Sequence, residues 1–389
     1  MRFTSRRTPR VTRGWVPAAA VAATLVALVA AGCGSSSNSS SSSKSTSSSS
    51  NTTAAASPGV AAAKAAVAPY LAAPTSNGIT TPLTKKPPTG KTVVFVACNL
   101  PTCQLFFQSG KQAAAALGWN FKTIVTTGEP QNLITQFEAA LALKPDAIMI
   151  SGFPRSTYEP ALKIAIAQHV PVVASSVGFD KVTPPYLAID AQPPVFERNG
   201  SILGDWMVAD SNGNAHVAIF TLPLYPVLNA ASDSIKSSVL KDCSSCSVQI
   251  VDEAPTAVGT TLPSAVVSTI QSNPKINYVV FTDGNFAAGV PEALKAAGLS
   301  KVKVTGLNAS TVNMADIVNG SESAYMAYSL AWVTWAGFDS LARHFVGDDP
   351  THPILAMPTE LVDKANTTSS ALWEPANYQA DFKKLWHVG

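Results

Sequence analysis

The sequence predicts an α/β protein made of two similar, doubly wound parallel-sheet domains, and three observations lead there. Short apolar runs rich in β-branched residues alternate with helix-forming stretches from Thr92 onward, the pattern of parallel strands covered by helices on both faces. The alternation then restarts after one long helical stretch. The body that carries it runs for about 300 residues, the length of two domains.

The elements follow in order, each assigned from the spacing of its apolar residues. "TVVFVAC" reads as a buried strand, "QLFFQSGKQAAAALG" as a helix, "FKTIVTT" as a strand, "QNLITQFEAALALK" as a helix and "AIMIS" as a strand. A helix over 158–168, the strand "VPVVAS" and the short strand "YLAID" complete the first unit. A long helix over 196–208 leads into the second: "HVAIFTL", a helix to Leu240, "SVQIVDEA", a helix over 262–271, "YVVFTDG", a helix to Ala297 and "VKVTGLN". Ligands of open parallel sheets bind beyond the carboxyl ends of the strands. Two such sheets facing each other therefore place a shared cleft between the domains.

Upstream of this body the chain is of another kind. Five arginines between Arg2 and Arg13 precede an uncharged, alanine- and valine-rich run from Trp15 to Gly32, the pattern of a secretory signal. The run is short and weakly apolar for a spanning helix. It ends in "VAAGC", which resembles the lipobox of bacterial lipoproteins and implies cleavage before Cys33 and lipid attachment to it. Acyl chains gain about 0.8 kcal/mol per buried methylene, so Cys33 is the expected membrane anchor. Arg6 and Arg7 stand side by side and leave the export route open. The nearly pure serine stretch of 35–50 cannot bury enough apolar surface to fold and reads as a spacer.

Composition excludes several classes of function. The formal charge is +3, but five arginines and no acid precede Cys33, so the remainder is mildly acidic and nucleic-acid binding is not expected. There is no GxSxG elbow, no GxxxxGK[ST] loop, no HExxH pair and no GxGxxG fingerprint. His169, His216, His344, His352 and His387 are scattered without ligand spacing. The expectation is a non-enzyme with no cofactor and no metal. Four cysteines remain besides Cys33, as two local pairs, Cys98 with Cys103 and Cys243 with Cys246. An exported protein favours disulfides at both. "DCSSC" precedes a strand and not a helix, so a turn staple is expected there and not a redox site. "CNLPTC" follows the first strand, where the cleft should be, and reads as a loop clip that can shape the pocket.

The stretch from "TVVFVACNLPTCQLFF" to "KPDAIMISGFP", with the later "NPKINYVVFTDGNFAAGVPEALKAAGLSKVKVTGLN", resembles the type I periplasmic binding proteins, the sugar-type solute receptors of ABC importers. The resemblance spans residues 92–347. It implies two domains joined by a three-segment hinge, crossing near Asp190, Tyr328 and Met357, with a ligand cleft between them. The implied organisation is a signal peptide over 1–32, a tether with a short helix over 33–91, a first domain of 92–190 plus 329–357, and a second of 191–328 plus 358–389. The implied protein is a monomeric, extracytoplasmic, lipid-anchored receptor that passes a small-molecule solute to an ABC transporter permease. A sensory receptor of the same fold is the alternative.

The resemblance also implies ligand contacts. Asn99, Thr102, Gln104 and Phe106 or Phe107 follow the first strand, and Ser176 follows "VPVVAS". Tyr225 and Asn229 follow "HVAIFTL", Asp283 and Asn285 follow "YVVFT", Asn308 follows "VKVTG", and Tyr328 lies in the second crossing. Phe107 is taken as the cleft residue and its neighbour as core. Asp283 or Asn285 can equally cap the next helix, Asn308 can serve a turn, and Trp332, Trp335 and Arg155 have packing or solvent roles as their ordinary reading. Sugar-binding members carry an Asp-Arg pair and a further Arg where this chain has Ser176, Val177 and Asn229. That points to a sugar-like solute of few hydroxyls, or to an aromatic or amphiphilic one.

Overall fold

The structure, a computed structural model, describes residues 57–100, 102–241 and 243–389. The expected signal peptide, Cys33 and the serine tract lie outside the described residues. Among the described residues no helix is long and apolar enough to cross a membrane.

Helix α1 (Pro58–Val67) is started by Ser57, whose Oγ accepts the Val60 N–H at 3.4 Å, with proline in the first turn. The first lobe then runs β1 (Thr92–Cys98), α2 (Cys103–Leu117), β2 (Asn120–Thr126), α3 (Pro130–Ala142), β3 (Ala147–Ser151), α4 (Glu159–Ala167), β4 (Val172–Ser175) and β5 (Tyr186–Asp190). Its five strands are parallel in the order β2-β1-β3-β4-β5. The second lobe continues with α5 (Pro193–Asp210), β6 (His216–Thr221), α6 (Pro226–Lys241), β7 (Ser247–Asp252), α7 (Leu262–Ser272), β8 (Tyr278–Phe281), α8 (Val290–Ala296), β9 (Lys303–Leu307), α9 (Thr311–Asn319) and β10 (Ala324–Ala327). After α10 (Leu330–Val346) come β11 (Glu360–Asp363) and α11 (Tyr378–Leu385). The second sheet is ordered β11-β10-β9-β8-β6-β7, parallel except for β11, which runs antiparallel to β10. Strands β1, β3, β4 and β8 are buried on both faces, which is why their sequences are continuous apolar runs. The edge strands β2 and β7 are half exposed and carry Lys122 and Gln249.

The order of each sheet reverses at one place. In the first it reverses about β1 and β3, in the second about β6 and β8. The loops after these four strands are where such sheets bind ligands. In the second lobe α5 lies against α6 at close approach, made possible by two glycines a turn apart. A Cβ on Gly200 would sit 2.6 Å from the Ala231 carbonyl oxygen, and one on Gly204 2.9 Å from that of Ile235.

Two segments sit elsewhere than the sequence suggested. Residues 58–91 are packed chain and not tether. Val60, Ala63 and Val67 are buried where α1 packs on α5. The following segment then crosses to α10, where Trp332 Nε1 donates to the Asn77 carbonyl at 2.9 Å and Arg343 to that of Thr81 at 2.5 Å. Ile79 and Leu83 are buried along the way. The apolar stripe of α1 is the cause: a helix with one such face buries it wherever a partner surface is available. The chain end also differs. Helix α11 packs on α10 of the first lobe, with Trp335 stacked on Trp386 at 5.2 Å and Phe382 6.0 Å from Trp335. Only β11 of the 358–389 stretch joins the second sheet. Aromatic burial on α10 decides this placement.

A buried ionic cluster ties the crossings together. His352, in the segment between α10 and β11, bonds Asp190 at the end of β5 through Nδ1 at 2.9 Å and Asp339 of α10 through Nε2 at 2.9 Å. Arg343 Nε donates to the same Asp339 carboxylate at 2.5 Å, and Trp386 Nε1 donates to its other oxygen at 2.6 Å. Burial alone would lower the His352 pKa. The two carboxylates outweigh it and hold it at about 9. Protonated His352 and Arg343 together balance the two acids. A histidine raised above its free value of about 6.5 gives its full stabilisation below that pH and loses it as pH climbs to the folded value. Denaturation followed from about pH 6 to about pH 10 is therefore expected to cost the protein up to about 3 kcal/mol. His352→Gln is expected to be less stable at the acid end and nearly flat over the same range.

Candidate functional site

The loops after β1 and β8 meet across the gap between the lobes. After β1 the Cys98–Cys103 disulfide, with Cα atoms 5.7 Å apart, clips the strand end to the first residue of α2. Thr102 therefore occupies the N-cap position of α2, but its hydroxyl makes no capping bond. Instead it reaches the other lobe, donating to Asp283 Oδ2 at 3.4 Å and accepting from Asn308 Nδ2 at 3.2 Å.

Asp283 follows β8 and does two things at once. Its Oδ1 accepts the Asn285 N–H at 3.0 Å, capping the short 3-10 turn Gly284–Ala287, and accepts Asn285 Nδ2 at 3.0 Å. Its Oδ2 accepts Asn308 Nδ2 at 2.8 Å besides Thr102. Asn308 follows β9 with φ +56°, a left-handed conformation that asparagine tolerates. Burial pushes the Asp283 pKa up, and the bonds from Asn285, Asn308 and Thr102 oppose that. Its charge in turn acts on two phenols, after burial itself. Tyr225 is raised to about 12, and Tyr328 well above its ordinary value.

Between the lobes lies a cavity of about 70 Å³. The first lobe contributes the disulfide, Leu100, Thr102, Phe106, Ser151, Gly152 and Ser176. The second lobe and the crossings contribute Phe196, Tyr225, Val227, Leu228, Asp283, Phe286, Tyr328 and Leu330. Phe196 and Tyr328 meet edge to face at 5.6 Å, and Tyr225 crosses to Phe153 of the first lobe at 5.9 Å. Among the described residues that line it there is no Lys, Arg or His. Such a wall can enclose a small solute.

Thr102, Ser176, Tyr225, Asp283 and Tyr328 are brought together at the cavity, with Asn308 and Asn285 behind Asp283. The remaining candidates lie elsewhere. Asn99 and Gln104 are exposed, and Asn229 is turned to its own loop, donating to the Pro223 carbonyl at 3.1 Å. Phe107 packs edge-on against Phe95 at 6.1 Å, while Phe106 lines the cavity, the reverse of the choice made from sequence. Trp332 and Trp335 are core, the first bonded to Asn77 and the second stacked on Trp386. Arg155 pins the 183–184 loop through the Thr183 and Pro184 carbonyls. The sequence reading missed Phe196 and Phe286. Phe286 stands directly after Asn285, in the loop that follows β8. Phe196 sits in an apolar helix start that gives no sign of facing a ligand.

A sequence model of the periplasmic binding protein domain family matches residues 93–349. No curated protein matches the chain. Solved structures with the same fold include a 5-methylthioribose transporter solute binding protein from Thermotoga lettingae, in complex with 5-methylthioribose. It is 16% identical with a TM-score of 0.64, over 78% of this chain and 99% of that one. An ABC transporter solute binding protein from Mycobacterium smegmatis with bound glycerol is 16% identical, TM-score 0.63, over 73% and 97%. A carbohydrate transporter from Acidothermus cellulolyticus in complex with myo-inositol is 19% identical, TM-score 0.61, over 77% and 99%.

Removing the carboxylate alone would leave buried amide donors without partners, which costs about 1–3 kcal/mol. Urea denaturation is expected to show that loss for Asp283→Ala. A smaller loss is expected for Asp283→Asn, whose amide oxygen still accepts.

Proposed function

This chain belongs to the periplasmic binding protein family, and we propose that it is an extracytoplasmic solute receptor that closes its two lobes on one small molecule and hands it to an ABC importer. The observation that carries this reading is the cavity at both sheet reversals, bridged by Thr102 of one lobe and Asp283 with Asn308 of the other. A solute shifts an open-closed equilibrium only through contacts that differ between the two states. Groups from both lobes around one cavity supply such contacts.

The anchor belongs to the same proposal. Cys33 as the lipidated residue keeps the receptor beside its permease, where a high local concentration favours delivery. With α1 packed on the second lobe, the tether is the chain between Cys33 and Ser57. Mass spectrometry of the exported protein is expected to find lipid on Cys33. An N-terminus that retains the apolar run would refute the anchor.

The solute is less hydroxylated than a hexose. Sugars are held by charge-assisted, often bidentate bonds, and the lining residues offer no arginine for them. Calorimetry is expected to give only weak binding of ribose, glucose and galactose, and submicromolar binding of any of them would defeat this part. Capture itself is tested by small-angle scattering alongside a thermal-shift screen of sugars, polyols, nucleosides, amino-acid derivatives, amines and aromatic acids. A compound that raises the melting temperature is expected to shrink the radius of gyration. Tyr328→Ala is expected to weaken its binding at least tenfold, about 1.4 kcal/mol. A tight ligand that leaves the radius unchanged would refute closure.

A further inference from the structure

We propose that the solute of this cavity is a small organic cation whose charged head carries few or no hydrogen-bond donors, the quaternary ammonium class of which choline is the simplest probe. The inference rests on the reading of the interlobe cavity as the solute site, and three features of that cavity lead to the class.

The first is an uncompensated charge. Asp283 is 6% exposed and lines the cavity, yet no Lys, Arg or His stands among the described lining residues. Its four bonded donors are the Asn285 N–H, the Asn285 amide, the Asn308 amide and the Thr102 hydroxyl. All four are neutral donors: they oppose the upward push that burial gives its pKa, but they bring no positive charge to the site. A buried charge without a counter-ion is costly. A cation in the cavity supplies the missing partner, whereas a carboxylate or phosphate would double the cost.

The second is the state of the lone pairs. Two donors already serve each oxygen of Asp283, which fills the acceptor capacity of a carboxylate. A sugar hydroxyl or a primary ammonium arriving here would bring donors that find no free acceptor on it. A methylated ammonium has no such need and interacts through its charge alone.

The third is the wall. Phe106, Phe196, Tyr225, Phe286 and Tyr328 put five aromatic rings around one small cavity. Aromatic rings attract a cation within about 6 Å of the centroid, more strongly when it is desolvated. The phenols stay neutral, since burial and the Asp283 charge raise both. The 70 Å³ of the cavity corresponds to about two water molecules at about 30 Å³ each. That suits a head group of a few heavy atoms.

The test compares choline with 3,3-dimethyl-1-butanol, the same shape without the charge, by calorimetry on the full-length protein in detergent. Choline is expected to bind at least tenfold tighter than the alcohol, and Asp283→Asn is expected to erase that difference while a near-normal melting curve shows the variant folded. Tyr328→Leu is expected to weaken choline more than the alcohol. Equal binding of the two compounds, or no binding of choline at millimolar concentration, overturns the cation class. Ribose and myo-inositol are run beside them with scattering as readout. If either compacts the protein while choline does not, solute capture stands and only the class falls. If choline binds without compaction, the cation site stands and lobe closure falls.

Discussion

A carboxylate buried between two lobes has to be satisfied by both of them, and Asp283 sets that condition for the rest of the structure. Its Oδ1 is used within its own lobe, capping the turn that follows β8, and its Oδ2 faces the Asn308 amide and the Thr102 hydroxyl. The loop that carries Thr102 must therefore be held where it can reach, and the Cys98–Cys103 bridge holds it by fixing the end of β1 to the start of α2. Asn308 must turn its side chain back toward Asp283, which its left-handed backbone allows. The polar part of the cavity is one connected arrangement, and the apolar remainder closes around it.

The two lobes also have to be held in register where the chain crosses between them. Here the crossings share buried charges. Asp190 ends the first, His352 belongs to the third, and Asp339 and Arg343 come from the helix that follows the second. Charges of both signs in a low-dielectric interior hold one another only at close range, so His352 ties Asp190 to Asp339 while the second oxygen of Asp190 has no bonded partner. The segment after α1 adds a fourth connection. It leaves a helix packed on the second lobe and runs along α10, where the first lobe anchors it through Trp332 and Arg343. Any opening of the cleft has to be accommodated by this segment as well as by the three hinge strands.

The sequence by itself determined the α/β class and the succession of strands β1 to β9 along the chain, and it put Thr102, Tyr225 and Asp283 just beyond strand carboxyl ends, because these depend on local periodicity and on a general property of parallel sheets. It also determined both disulfides, since the cysteines of each pair are three to five residues apart. The tertiary structure decided what depends on direction and distance. Phe106 and Phe107 are adjacent and equally apolar, and only the seating of α2 on its sheet turns the first toward the cavity. Asn99, Gln104 and Asn229 lie in the right loops and still miss it, because a loop position does not fix where a side chain points. Phe196 and Phe286 come from stretches about ninety residues apart in sequence, and α1 and α11 found their partners on α5 and α10. Such long-range apolar contacts carry no local signature. The sequence placed the cleft, and the packing of distant apolar surfaces chose its walls.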